Sequence, residues 1–158
     1  MIRVLRLSLL AALLWTSCSQ EKDPCLLPTT APMRVNSAVK TGDTSFVDAP
    51  LTQPAWIAID SSKGFLFDAN SSSFTLLLSP LVDSTRYVVQ PDTSLPDKDT
   101  ITFYYDRNLH FLSTSCGYTY FYSLTNIAYT KHLIDSAYIV NSNVNQNANT
   151  AYHVRILF

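Results

Sequence analysis

Short runs of Val, Ile, Thr, Tyr and Phe, each closed by Asp, Asn, Ser or Pro, fill the chain from Met33 to Phe158. β-Branched and aromatic residues suit a pleated, half-buried surface, and the residues that close the runs favour turns. The acidic residues lean the same way. Of the twelve, only Glu21 is a glutamate, and Asp competes with the helical backbone where Glu tolerates it. The pattern predicts strands over 33–40, 56–60, 64–68, 73–78, 85–90, 100–105, 109–114, 118–124, 133–140 and 151–158. Asp106-Arg107-Asn108, between two aromatic runs, predicts a hairpin turn, and 141–149 an Asn-rich extended loop between the last two strands. A helical turn has room in 126–132. So many short strands in one chain imply an all-β fold, a single antiparallel β-sandwich (Ig-like or similar), with a small β-barrel as the alternative.

Alternation locates the expected core. Ile101, Phe103 and Tyr105 share one face of their strand, with Thr102, Tyr104 and Asp106 on the other. In the closing strand Tyr152, Val154, Ile156 and Phe158 face inward, leaving His153, Arg155 and Leu157 outside. The stretch 74–81, FTLLLSPL, shows no alternation and reads as buried on both faces.

The N-terminus carries a different message. Arg3 and Arg6 precede an apolar core from Leu7 to Trp15, too short for a bilayer span of roughly 20 residues. Thr16, Ser17 and then Cys18 follow, so the segment reads as a secretory signal that resembles a bacterial lipobox, with Trp15 where Leu is usual. The expected division is a lipoprotein signal peptide over 1–17, a Pro-rich tether over 18–32 and the β-sandwich domain over 33–158, with lipid attached to the Cys18 sulfur. Loss of Arg3 and Arg6 would take the net charge from −1 to −3. Mild acidity spread along the chain argues against a nucleic-acid partner, which wants a concentrated basic face.

With Cys18 acylated, Cys25 and Cys116 remain as an even pair in an oxidising compartment, and they are expected to form a disulfide. The bridge would close a loop of about ninety residues, worth about 4–5 kcal/mol on the loop-entropy account. Two sulfurs so far apart, with no neighbouring His, make a poor metal site, and no C-x-x-C redox motif is present.

The segments TITFYYDRNLHFLSTSCGYTYFYSL and HVRILF resemble a family of Bacteroidota lipoproteins known only as a domain of unknown function. The features that carry the likeness are Cys18, Glu21-Lys22-Asp23, Cys25, Cys116-Gly117-Tyr118, His153-Val154-Arg155 and Phe158. The likeness covers the tether and 97–158; between Cys25 and Asp97 it is thin, and MRVNSAVK stands where an aromatic-Asp strand would be expected. The resemblance implies a cell-envelope location and supports the Cys25–Cys116 pair, but brings no activity with it.

No nucleophile elbow, zinc-protease helix or phosphate-binding glycine loop is present. His132 and Asp135 would share a face only on a helix, and Asp97-Lys98-Asp99 reads as a turn before a strand. No catalytic residues, cofactor or metal are therefore expected. Tyr118, Tyr120 and Tyr122 alternate onto one face of one strand. Exposed, they would form an amphipathic platform for a glycan, small ligand or protein; buried, they are a sheet face adjoining the core. The expected protein is an outer membrane lipoprotein, on the periplasmic face or the cell surface, with a structural or protein-interaction role. A glycan- or ligand-binding module is the alternative.

Overall fold

The computed structural model describes residues 24–43, 45–59, 64–146 and 152–158; the signal segment and Cys18 lie outside this set. Among the described residues, eleven strands form two sheets: β1 (Met33–Lys40), β2 (Phe46–Asp48), β3 (Ala55–Ala58), β4 (Gly64–Leu66), β5 (Ser73–Leu76), β6 (Ser84–Gln90), β7 (Asp99–Ser113), β8 (Gly117–Tyr129), β9 (Ser136–Ile139), β10 (Asn143–Val144) and β11 (Val154–Leu157). One sheet runs β2-β1-β11-β9, with β5 pairing the first half of β1 on the edge whose second half takes β2. The other runs β10-β8-β7-β6-β3-β4. Neither closes on itself, so the fold is a sandwich and not a barrel.

The sandwich is mixed rather than purely antiparallel. Parallel pairing joins β1 to β11, with Val35 opposite Val154 and Ala38 opposite Leu157. A tight turn forces its two strands antiparallel, but β1 and β11 lie at opposite ends of the domain, so no turn constrains their directions.

The core fills the space between the sheets. Met33, Val35, Phe74, Leu76, Val154 and Ile156 from the first sheet meet Trp56, Tyr87, Val89, Ile101, Phe103 and Tyr105 from the second, all of them buried. Trp56 stands with its ring centroid 5.5 Å from Phe74 and 6.1 Å from Tyr87, so aromatic contacts bridge the layers. The inward face assigned to Ile101, Phe103 and Tyr105 is the one observed.

Several local expectations are corrected. Asp106-Arg107-Asn108 makes no turn: β7 runs unbroken through it to Ser113, and the chain reverses at Thr114–Cys116. The pairing with β8 continues through Arg107 opposite Tyr122 and Asn108 opposite Phe121, which outweighs the turn preference of three polar residues. The reversal ends at Gly117, whose φ of 70° is open to a residue without a Cβ. Residues 126–129 continue β8 rather than starting a helical turn, and 131–133 is a bend. The stretch 74–78 does alternate, with Phe74, Leu76 and Leu78 buried and Thr75 and Leu77 exposed, so only one face is covered. Two short strands, β2 and β10, were not anticipated; the second lies inside the Asn-rich loop and pairs with β8 at Tyr122 and Ser123.

Candidate functional site

Two regions hold most of the specific side-chain geometry: the end of the β7–β8 hairpin, with the groove beside it, and the cap at the opposite end of β7. β6 accompanies β7 only as far as Tyr104, and β10 meets β8 only at Tyr122 and Ser123. From Arg107 to Phe111 and from Tyr118 to Tyr122, the two strands are therefore each other's main partner, forming a two-stranded arm. Such a ribbon is marginal in water by itself. It is held by the Cys25–Cys116 disulfide, with Cα atoms 4.8 Å apart, which ties its turn to the N-terminal segment. That segment is less free than a tether. The Thr119 hydroxyl donates to the Thr29 carbonyl at 2.7 Å, the Gln146 side-chain amide donates to the Pro28 carbonyl, and Ala31 is buried in the core.

Tyr118, Tyr120 and Tyr122 do share a face, but not an environment. Tyr122 is 6% exposed, Tyr120 half-buried and Tyr118 65% exposed. They line one wall of an open groove of about 300 Å³, whose other walls are Thr29–Ala31, Leu77, Leu78 and Pro80. The face is thus neither the fully exposed platform nor the fully buried sheet face considered from sequence, but a slope running from the core outward.

The buried end of that slope is committed to structure. Three tyrosine hydroxyls from β6, β7 and β8 reach across the sandwich to the segment leaving β5. Tyr87 donates to the Leu77 carbonyl at 2.6 Å and Tyr122 to the Leu78 carbonyl at 3.3 Å. The Tyr105 hydroxyl receives the Ser79 amide at 2.9 Å and lies 2.6 Å from the Thr85 hydroxyl and 3.0 Å from the Ser79 carbonyl. Burial pushes the Tyr87 phenol up to about 12, against the lowering effect of its bond to Leu77; burial raises Tyr105 and Tyr122 as well. All three are neutral hydrogen-bonding groups in the physiological range. Arg107 closes the same corner, its Nε 2.6 Å from the Asp83 carboxylate and its Nη1 donating to the Pro80 carbonyl at 2.8 Å.

At the far end of β7, Asp99 caps the segment 130–134. Its carboxylate is buried and accepts the Leu133 amide at 2.6 Å, the Ile134 amide at 2.8 Å and the His132 amide at 3.1 Å, together with the Thr130 hydroxyl. Burial alone would raise its pKa, but the hydrogen bonds from Thr130, Leu133, Ile134 and His132 outweigh it and hold the carboxyl well below the usual carboxylate range. His132, considered with Asp135, instead turns its Nδ1 to Asp99 at 2.9 Å. The reason is that 131–133 bends back over the start of β7 rather than coiling as a helix.

His153 is the second corrected histidine. Expected on the outer face, it is 1% exposed. A bend at His153 interrupts the alternation of β11 and turns the ring inward. Its Nδ1 accepts the Arg34 amide at 2.9 Å while its own amide donates to the Arg34 carbonyl at 2.9 Å, so it clamps β1. Leu157, also placed outside, is buried.

Among the described residues no three His, Cys, Asp or Glu side chains gather as a metal site. The sequence signalled the disulfide partners and the tyrosine face. It did not signal Arg107–Asp83 or the Asp99 cap, whose partners are backbone amides and residues more than twenty positions away. No curated protein and no solved structure matches the chain. Its core strands from β3 onward, the arm with Cys116, and the closing β11 all fall within a single family signature that matches residues 56–158, and the chain accordingly belongs to the family of unknown function DUF6452.

Proposed function

We propose that this protein is a lipid-anchored cell-envelope protein that acts by contact, in a structural or protein-interaction role, rather than by catalysis. The observation that carries the reading is the Cys25–Cys116 disulfide. Structural disulfides persist in oxidising compartments, and this one ties the folded domain to the segment that follows a lipobox-like Cys18. The N-terminal pattern resembles that of Bacteroidota lipoproteins, which supports an outer-membrane location, on either face. The polar side chains with distinctive geometry are engaged internally: Tyr87, Tyr105 and Tyr122 hold the 77–79 segment, and Asp99 holds 130–134. Each stabilises the fold and is thereby withdrawn from substrate chemistry.

Intact mass of the protein extracted from bacterial membranes tests the anchor. Loss of residues 1–17 and acyl mass on Cys18 are expected, and Cys18→Ala should release the chain to the soluble fraction. An unacylated Cys18 in the membrane-extracted protein sinks the anchor. Mild crosslinking of the native protein followed by pull-down tests the interaction role, and a consistent lack of any enriched envelope protein counts against it.

The groove supports a second reading, a binding site for a glycan or small ligand. Tyr118 and Tyr120 present aromatic surface along its open side, with Thr29 and Thr30 opposite. Its deeper hydroxyls, on Thr119 and Tyr122, already donate to backbone carbonyls, which leaves the shallow end for recognition. Glycan-array binding that disappears in Tyr118→Ala with the fold intact would favour this reading over the first.

A further inference from the structure

The arm ends in apolar surface. Leu109 and Phe111 on β7 stand opposite Tyr120 and Tyr118 on β8, on the same face of the ribbon, with the Phe111 and Tyr118 rings 5.1 Å apart. Leu109, Phe111 and Tyr118 are each at least half exposed, as are Leu26 and, nearly so, Leu27, which follow the disulfide directly. The chain from Asn108 to Thr130 contains no Asp, Glu, Lys or Arg, and neither does the segment from Pro24 to Met33. An exposed patch of Leu, Phe and Tyr without charge has the composition that settles at a membrane–water interface, where Tyr places its ring among apolar groups and its hydroxyl in water.

Geometry selects the bilayer over other occupants. Seven chain steps separate Cys18 from Cys25, so lipid on Cys18 lies within about 25 Å of the disulfide, whatever path the segment takes. The disulfide is at the turn of the arm. β7 has 15 residues and, at roughly 3.4 Å each, carries its other end almost twice that distance away. The attachment point is thus at the apolar end of the molecule, and the short leash keeps that end near the lipid surface.

We infer that the arm tip, through Leu26, Leu27, Leu109, Phe111 and Tyr118, rests in the membrane interface and fixes how the domain stands on the bilayer. The inference takes its orientation from the anchoring reading above. It goes further in assigning a second, non-covalent membrane contact: β1 starts just after Thr29, which the arm's Thr119 holds, and β2 pairs with its last three residues, so the end around β2 is the one presented to whatever the protein meets.

The test separates the two ideas. In the chain beginning at Cys18, which contains every described residue, the disulfide leaves Cys18 as the one thiol available for coupling. It is coupled to a maleimide-headgroup lipid in vesicles of phosphatidylethanolamine and phosphatidylglycerol whose acyl chains are brominated. Tryptophan reporters are placed by Phe111→Trp or Tyr118→Trp at the tip and by Val47→Trp on exposed β2, opposite Val39 near the far end of β1. Buried Trp56 is a constant background. Quenching of either tip reporter at least twofold above that of Val47→Trp is expected. Equal quenching at both ends, or none above that in unbrominated vesicles, overturns the inference and leaves the patch to a protein partner or ligand. Because coupling supplies the anchor, an unacylated Cys18 in cells would defeat the anchoring reading without deciding this result. Two tip reporters guard against one substitution disturbing the fold.

Discussion

At the residue scale, two buried titratable groups govern how the domain responds to acid. The folded-state pKa of Asp99 is depressed by its hydrogen bonds, so its contribution is fully present above the unfolded carboxylate value near 4 and is lost as pH falls below that toward the folded value. Asp99→Asn replaces a charged acceptor with a neutral one and is expected to cost about 2–4 kcal/mol at pH 7, since it weakens several charge-assisted bonds at once. Urea titrations should show that cost shrinking between pH 4 and pH 2; a gap independent of pH would mean the carboxylate charge is irrelevant. His153 acts in the same direction at milder pH. Burial lowers its pKa below 6.5, while the Asn143 backbone opposes the shift and nearby Arg34 adds to it. The unfolded state therefore binds the proton more readily, and stability falls as pH drops through 6.5. The imidazole signal of His153 in an NMR titration should move with a midpoint below 6.5, and a midpoint above it would contradict the burial argument.

At the element scale, the hydroxyl row of Tyr87, Tyr105 and Tyr122 decides where the chain leaves the first sheet after β5. The three bonds are unequal. Tyr105 meets the Ser79 amide, the Ser79 carbonyl and the Thr85 hydroxyl, whereas Tyr122 makes one bond of 3.3 Å. Tyr105→Phe takes one partner from the buried Thr85 hydroxyl and the hydroxyl donor from the Ser79 carbonyl, while the Ser79 amide keeps its bond to Thr85, and should cost about 1–3 kcal/mol; Tyr122→Phe should cost about 1 kcal/mol or less. Chemical denaturation of both single variants checks the order, and a larger loss from Tyr122→Phe would mean that the groove wall matters more than the corner. The same scale explains why no turn forms at 106–108. Asp106, Arg107 and Asn108 form a plausible turn locally, but β8 offers a partner for each of them, and Arg107 gains Asp83 and Pro80 only if the strand continues.

At the scale of the whole molecule, the disulfide joins residues 91 positions apart and secures an arm that the rest of the second sheet does not support. Reduction should cost about 4–5 kcal/mol of global stability on the loop-entropy account. Its local effect should be sharper. Hydrogen exchange after reduction is expected to rise at 113–119 and along 25–31, while Ile101 and Phe103, buried in the core, stay protected. Uniform loss of protection across both sheets would show that the arm is integral to the core rather than appended to it.

Composition and alternation determined much by themselves: the all-β class, the inward face of β7, the boundaries of β1 and the cysteines that pair. Each of these depends on local backbone preference, on which face of a strand is apolar, or on which thiols are available, and all three are written along the chain. Tertiary structure alone decided the parallel β1–β11 pair, the inward turn of His153, the Asp99 cap and the slope of the tyrosine face. In these cases the partner is a backbone group or a strand edge brought close from far along the sequence. Such a partner has no side-chain signature, and only the packed sandwich supplies it.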